Sequence, residues 1–283
     1  MAIKIVMESS CDIPKERAKR LGITVIPMKF TFPGGESYLD NVSMTHAEFY
    51  GKLENSEDIP VTSMVSPAEY EDVFREMTAN GDSVIVVSLS SKLSGCYNSA
   101  VLARRDFENV YVVDSENACV GQSVLGEYRA ELAKAETNAK AVVEKLEKAK
   151  KRIRLLAVVD TLKYLKKGGR ISSAAAFAGG LLGIKPVLTV DEGVIAVVGK
   201  ARGAKAADNL LIKYIEDGNG IDETMPMYLG YSGSSRETLD NYIENSRHIY
   251  ADVDSIPVIT IGCVIGTHVG PGAFGLAYFE KEK

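Results

Sequence analysis

No C-x-x-C pair occurs among the four cysteines of this 283-residue sequence, Cys11, Cys96, Cys119 and Cys263, and the histidines His46, His248 and His268 supply no second cluster of ligands. The spacing excludes the common zinc patterns, so no metal is expected, and the thiols read as the reduced cysteines of a cytoplasmic protein. Basic residues are not in excess. With 33 Lys and Arg against 38 Asp and Glu, the net charge of −5 argues against a broad footprint for nucleic acid or anionic membrane. The opening MAIKIVMESS has neither the basic segment nor the apolar run of a signal peptide and reads as a first strand. A Walker loop is lacking, and GYSGSS at 230–235 misses the G-x-S-x-G nucleophile elbow by one residue. Internal repeats and low-complexity tracts are absent as well.

Charge is missing altogether from residues 256–279, but five glycines, two prolines and His268 in that run exclude a continuous membrane-spanning helix. We read two buried strands joined by a glycine loop. The loop, GTHVGPGAFG, contains the spacing G-x-G-x-x-G. A dinucleotide site needs a helix after that turn, and LAYFEKEK beyond Gly275 is a short strand-like alternation instead, so no cofactor is assigned.

What is present is ordinary globular material: 46% hydrophobic and 25% charged residues, enough to bury a core in about two domains. The first half alternates strand-like runs (IKIVM, ITVIPMKFTF, SVIVVSLS, VYVVDS) with helical patterns, among them SPAEYEDVFREM with its capping box and leading proline. Beyond NAKAVVEKLEKAKKR the runs become RLLAVVD, PVLTVDEGVIAVVGK with a hairpin at 191–193, MPMYLGYS and GLAYF, with fewer helices between them. The expected fold is α/β: an N-terminal α/β/α sandwich with a mostly parallel sheet over 1–153, and a C-terminal α+β domain with a more antiparallel sheet over 154–283.

In VVSLSSKLSGCYNSA a strand ends near Ser90 and a helix begins just after Ser94-Gly95. Free N–H groups and about half a positive charge at a helix start attract an anion, although Ser94 could equally cap its own helix. Gly95 would let backbone come close to a ligand. VTSMVSP sets Thr62 and Ser63 ahead of a helix already capped by Ser66, leaving both hydroxyls for water or for a ligand, and SSCD at 9–12 follows the first strand in the same way. Loops at the carboxyl ends of strands are where open α/β sheets bind ligands. His268, among glycines and without an acidic neighbour, is a candidate donor to an anion. His46 sits in the first turn of a capped helix, and His248 has no motif. Hydroxyls and one histidine without an activating carboxylate describe a binding site, so no catalytic residue is assigned. Lys163, Lys166 and Lys167 lead through Gly168-Gly169 to Arg170 and then to a small-residue apolar helix. That stretch is either a solvated helix end or a basic loop for an acidic partner.

Seven stretches in order, ESSCDIP, TSMVSP, SSKLSGCYNSA, VVDSENACVGQ, LKYLKKGGRISS, LLGIKPVL and VIGTHVGPGAFG, resemble the DegV family over nearly the whole chain. The resemblance implies a two-domain carrier, not an enzyme, that binds a long-chain fatty acid, with Thr62, Ser94 and His268 on the carboxylate. It further implies presentation of that acid to a separate ATP-dependent fatty acid kinase subunit, which Arg170 helps to dock, with at most transient membrane contact. The sequence departs from the family's usual pattern at Glu8, Met64, Val65, Cys96 and Asn98, which makes the surroundings of the head group more apolar. The other reading open at this point is an enzyme acting on a small acyl or phosphorylated substrate with His268 as acid or base.

Overall fold

The computed structural model describes residues 2–132, 136–172 and 183–282. Strands Ile3–Glu8, Ile23–Ile26, Ser83–Ser88 and Val110–Asp114 form an all-parallel sheet in which Ile3–Glu8 and Ser83–Ser88 are central. Their unbroken apolar runs follow from burial on both faces, which the helices Lys15–Leu21, Pro67–Thr78, Cys96–Ala103, Val120–Leu132 and Ala139–Ala149 provide. Pro67–Thr78 starts where its capping box requires: Ser66 Oγ accepts from the Glu69 N–H, and the Ser66 N–H donates to the Glu69 carboxylate.

The stretch ITVIPMKFTF is not one strand. Its first part stays in the parallel sheet, while Lys29–Thr31 turns away after Pro27 into a small antiparallel sheet with Ser37–Leu39 and Val61–Ser63. Pro27 has no N–H to give to a ladder, which accounts for the break. Thr62 and Ser63 therefore lie on a strand rather than a loop, and successive side chains point to opposite faces.

The second large sheet has six strands in the order Val194–Arg202, Ile184–Asp191, Ile153–Val158, Phe274–Phe279, Tyr228–Tyr231, Val258–Thr260. All its pairings are antiparallel except the last, and the expected hairpin turns at Glu192-Gly193. Between Val258–Thr260 and Phe274–Phe279 stands a helix, Cys263–Val269, where two strands and a glycine loop were expected. An apolar run this short has the same pattern as strand or as buried helix. The small-residue helix expected after Arg170 falls, from 173 to 182, outside the described residues.

Helix Val120–Leu132 packs against strands of both large sheets, and one apolar cluster, including Met7, Val87, Val124, Leu155 and Phe279, runs through the two. Among the described residues no helix is long and apolar enough to cross a membrane.

Candidate binding site

Between the two large sheets lies a pocket enclosing about 940 Å³ of non-atom space, part of it open to solvent. Its walls are aliphatic and aromatic, with Leu89 and Val120 from the parallel-sheet side facing Leu155, Leu188, Ile265 and Phe274. Among the described residues, strong hydrogen-bonding side chains reach the lining at Thr62, Ser94, Arg170, Thr189 and His268. Thr189 spends its hydroxyl on the Leu155 carbonyl (2.8 Å). The other four lie at one end, where Thr62 and His268 bond each other and Arg170 bonds the backbone beside Ser94.

Thr62 Oγ1 lies 2.9 Å from His268 Nε2. Arg170 donates from Nε to the Leu93 carbonyl (3.1 Å), the residue before Ser94, and from Nη1 to the Gly168 carbonyl (2.6 Å). Burial, and after it the Arg170 guanidinium, push the His268 pKa down to about 4, so the ring is neutral at pH 7. Its Nδ1 is buried and has no partner among the described residues. A proton there would be an unsatisfied buried donor, whereas a proton on Nε2 is used by Thr62. The neutral ring thus donates to Thr62 Oγ1, and the threonine's own hydrogen is left for something in the pocket. Nδ1 faces Gly168, where an added Cβ would come within 2.2 Å of it, so only glycine fits beside the ring.

Ser94 stands just before the helix Cys96–Ala103, as expected, but it does not cap it well. The N-cap is Gly95, and the Cys96 N–H reaches Ser94 Oγ only at 3.4 Å. The Ser94 hydroxyl donates to Cys96 Sγ (3.3 Å), a weak acceptor that gives it up at small cost. Cys96 is buried, and its pKa is pushed up to about 12 mainly by that burial and next by Glu8, so the thiol stays neutral.

Of the residues singled out from the sequence, Thr62, Ser94 and His268 line the one pocket, while Ser63 and Gly95 do not. Ser63 is on the outer face of its strand, and Gly95 makes room for Met64. Arg170 was read as a docking residue alone; its chain folds back at Gly168-Gly169 and places it in the pocket wall. That double glycine was the signal for the turn. The loop after the first strand contributes from behind the wall: Asp12 accepts a hydrogen bond from the Cys119 thiol, which lines the pocket.

Two sheets, a shared core and an apolar cavity with one polar end define an α/β protein able to enclose a greasy molecule that has a single polar head. A family model described as "Uncharacterised protein, DegV family" matches residues 2–281. A DegV domain-containing protein of Caldanaerobacter subterraneus subsp. tengcongensis is 36% identical over 281 residues, covering 99% of both chains. The Protein DegV of Bacillus subtilis is 33% identical over 285 residues, with 99% of this chain and 100% of that one covered. Among solved structures, a fatty-acid-binding DegV family protein from Thermus thermophilus superposes with a TM-score of 0.90 at 32% identity, covering 99% of this chain and 100% of that one. The chain belongs to the DegV family.

Proposed function

We propose that this protein is a non-enzymatic carrier that binds a long-chain fatty acid, its carboxylate at Thr62, Ser94 and His268 and its tail in the apolar pocket. The observation that carries the reading is the gathering of those side chains, with Arg170, at one end of a cavity that is otherwise apolar. Relatives described as fatty-acid-binding proteins, from Thermus thermophilus and Bacillus subtilis, share 32% and 31% identity with this chain and support the ligand class. Burying the fourteen methylenes of a sixteen-carbon acid is worth about 11 kcal/mol gross, before ordering and association costs. The tail supplies affinity. A carboxylate left unpaired in the cavity would cost several kcal/mol, which the hydroxyls and the guanidinium offset while fixing which end faces the mouth.

We assign the exposed basic turn Lys163, Lys166, Lys167 and the adjoining Arg170 to docking of a separate ATP-dependent fatty acid kinase subunit, in a cytoplasmic setting, with two domains meeting near residue 153. The alternative of an enzyme with His268 as acid or base draws no support from the ring's surroundings, since its Nδ1 meets no carboxylate among the described residues. Organic extraction of the purified protein and mass spectrometry test the carrier reading: a stoichiometric fatty acid is expected, and turnover without any partner, lost in His268→Ala, would overturn it. Ser94→Ala is expected to weaken acyl phosphate formation with the kinase more than it weakens fatty-acid retention.

A further inference from the structure

The helix Cys263–Val269 carries His268 in its last turn but has no cap of its own, since Gly262 stands at the N-cap. Its first N–H groups are taken by carboxylates distant in sequence. Asp12 Oδ1 accepts from the Gly262 N–H (3.0 Å), and Asp40 Oδ1 accepts from the Cys263 N–H (2.9 Å). The remaining carboxylate oxygens are pinned in turn: Asp40 Oδ2 by the Ser9 hydroxyl (2.7 Å), Asp12 Oδ2 by the Cys119 thiol (3.2 Å). The carbonyl just before the helix, Ile261, accepts from the Tyr50 hydroxyl (2.9 Å). There is no slack at Gly262, where an added Cβ would lie 2.5 Å from Asp12 Oδ1.

Both carboxylates are buried, Asp12 5% exposed and Asp40 fully covered, and neither forms an ion pair with a lysine or arginine among the described residues. Two buried acids side by side are an expensive way to start a helix, for which the usual device is one serine or threonine at the N-cap accepting from the second or third helical N–H. Neither lines the pocket. What the pair provides, and a local cap would not, is a fixed placement of this helix against the loop after strand Ile3–Glu8 and the turn after strand Ser37–Leu39.

We propose that Asp12 and Asp40 are positioning residues that act through the helix Cys263–Val269 to hold the His268 ring against Thr62. The helix is a rigid seven-residue lever. A shift at its start moves the ring at its end, and Gly168 closes off the space behind Nδ1, so the 2.9 Å contact with Thr62 depends on where the helix begins. That contact decides whether the Thr62 hydrogen is free for a ligand oxygen. The inference rests on the reading that Thr62, Ser94 and His268 receive a carboxylate.

The test uses the full chain stripped of lipid, with hexadecanoic acid and hexadecan-1-ol as probes that share a tail and differ in the head, and with ring nitrogen NMR of His268 without ligand. Asp40→Ala is expected to weaken acid binding about tenfold while alcohol binding stays within about twofold, and to move the His268 ring signals and their titration. Asp40→Asn keeps an acceptor for the Cys263 N–H and is expected to restore both. If Asp40→Ala does not fold, Asp12→Ala carries the same comparison with a smaller change in the same direction. Unaltered His268 signals in a folded variant, or acid and alcohol affinities that fall together, would overturn the proposal. A parent protein that does not favour the acid over the alcohol would overturn the carboxylate reading instead, and the His268 titration would then judge the lever by itself.

Discussion

Protonating His268 is harder in the folded chain than in the unfolded one, because burial and then Arg170 hold its pKa at about 4 instead of 6.5. Between those values the unfolded chain takes up a proton that the folded chain refuses. Stability therefore falls as pH drops through that window, by about 3 kcal/mol in all, and is fully present above it. Urea unfolding at pH 7 and pH 4 should show this loss in the parent and not in His268→Gln, once the carboxylate contributions common to both are subtracted. A second residue deep in the parallel sheet carries a different risk. Glu8 is fully buried, and its oxygens accept from the Tyr70 hydroxyl, Ser88 Oγ (2.7 Å), the Leu89 N–H (2.9 Å) and Gln122 Nε2 (2.8 Å). Glu8→Ala leaves those donors without an acceptor, and a loss of about 3 kcal/mol or more is expected in chemical denaturation. At this scale Thr62 and His268 stood out, as a hydroxyl not needed as a cap and a histidine among glycines, whereas Ser94 read equally well as the cap of its own helix; all three line the pocket. Arg170 was legible only as a surface charge. Its place in the pocket depends on contacts with Leu93 and Gly168, and no local pattern encodes the first of them.

Elements that carry their own start signals were readable. Helix Pro67–Thr78 begins at its capping box, and helix His46–Glu54 begins with Thr45 and Glu48 paired in the same way. Helix Cys263–Val269 was not readable, because its caps are supplied by Asp12 and Asp40 from across the molecule and its own residues are apolar or glycine almost throughout. The split of ITVIPMKFTF into two sheets was marked by Pro27, but only the partner strands decide where each half pairs. The short basic helix Lys163–Lys167 makes its mark through the glycine that follows it. Gly168→Ala puts a methyl against the His268 ring, and overpacking of this kind costs about 1–3 kcal/mol. A ring pushed aside also loses its contact with Thr62, so fatty-acid affinity measured by displacement of a fluorescent acid should drop about tenfold, alongside a melting temperature lowered by a few degrees.

On the scale of the whole molecule, the parallel sheet with its helices and the more antiparallel sheet after residue 153 were both legible, because apolar runs and turn residues set strand number and spacing. The way one apolar cluster joins them was not, since side chains as far apart as Met7 and Phe279 meet in it. A cavity built across that junction links ligand occupancy to global stability. Adding a fatty acid to stripped protein at about one hundred times its dissociation constant should raise the unfolding free energy by about 2.7 kcal/mol, and an aliphatic ligand that leaves the denaturation midpoint unmoved would count against occupancy of the pocket. The polar end of the cavity is assembled from strand Val61–Ser63, the turn before Cys96–Ala103, the turn that carries Arg170 and the end of Cys263–Val269, four segments with no common neighbourhood in the chain. Such a quorum cannot be met by a fragment. A chain that lacks any one of these segments is expected not to retain a long-chain acid, which ligand retention by truncated chains would check.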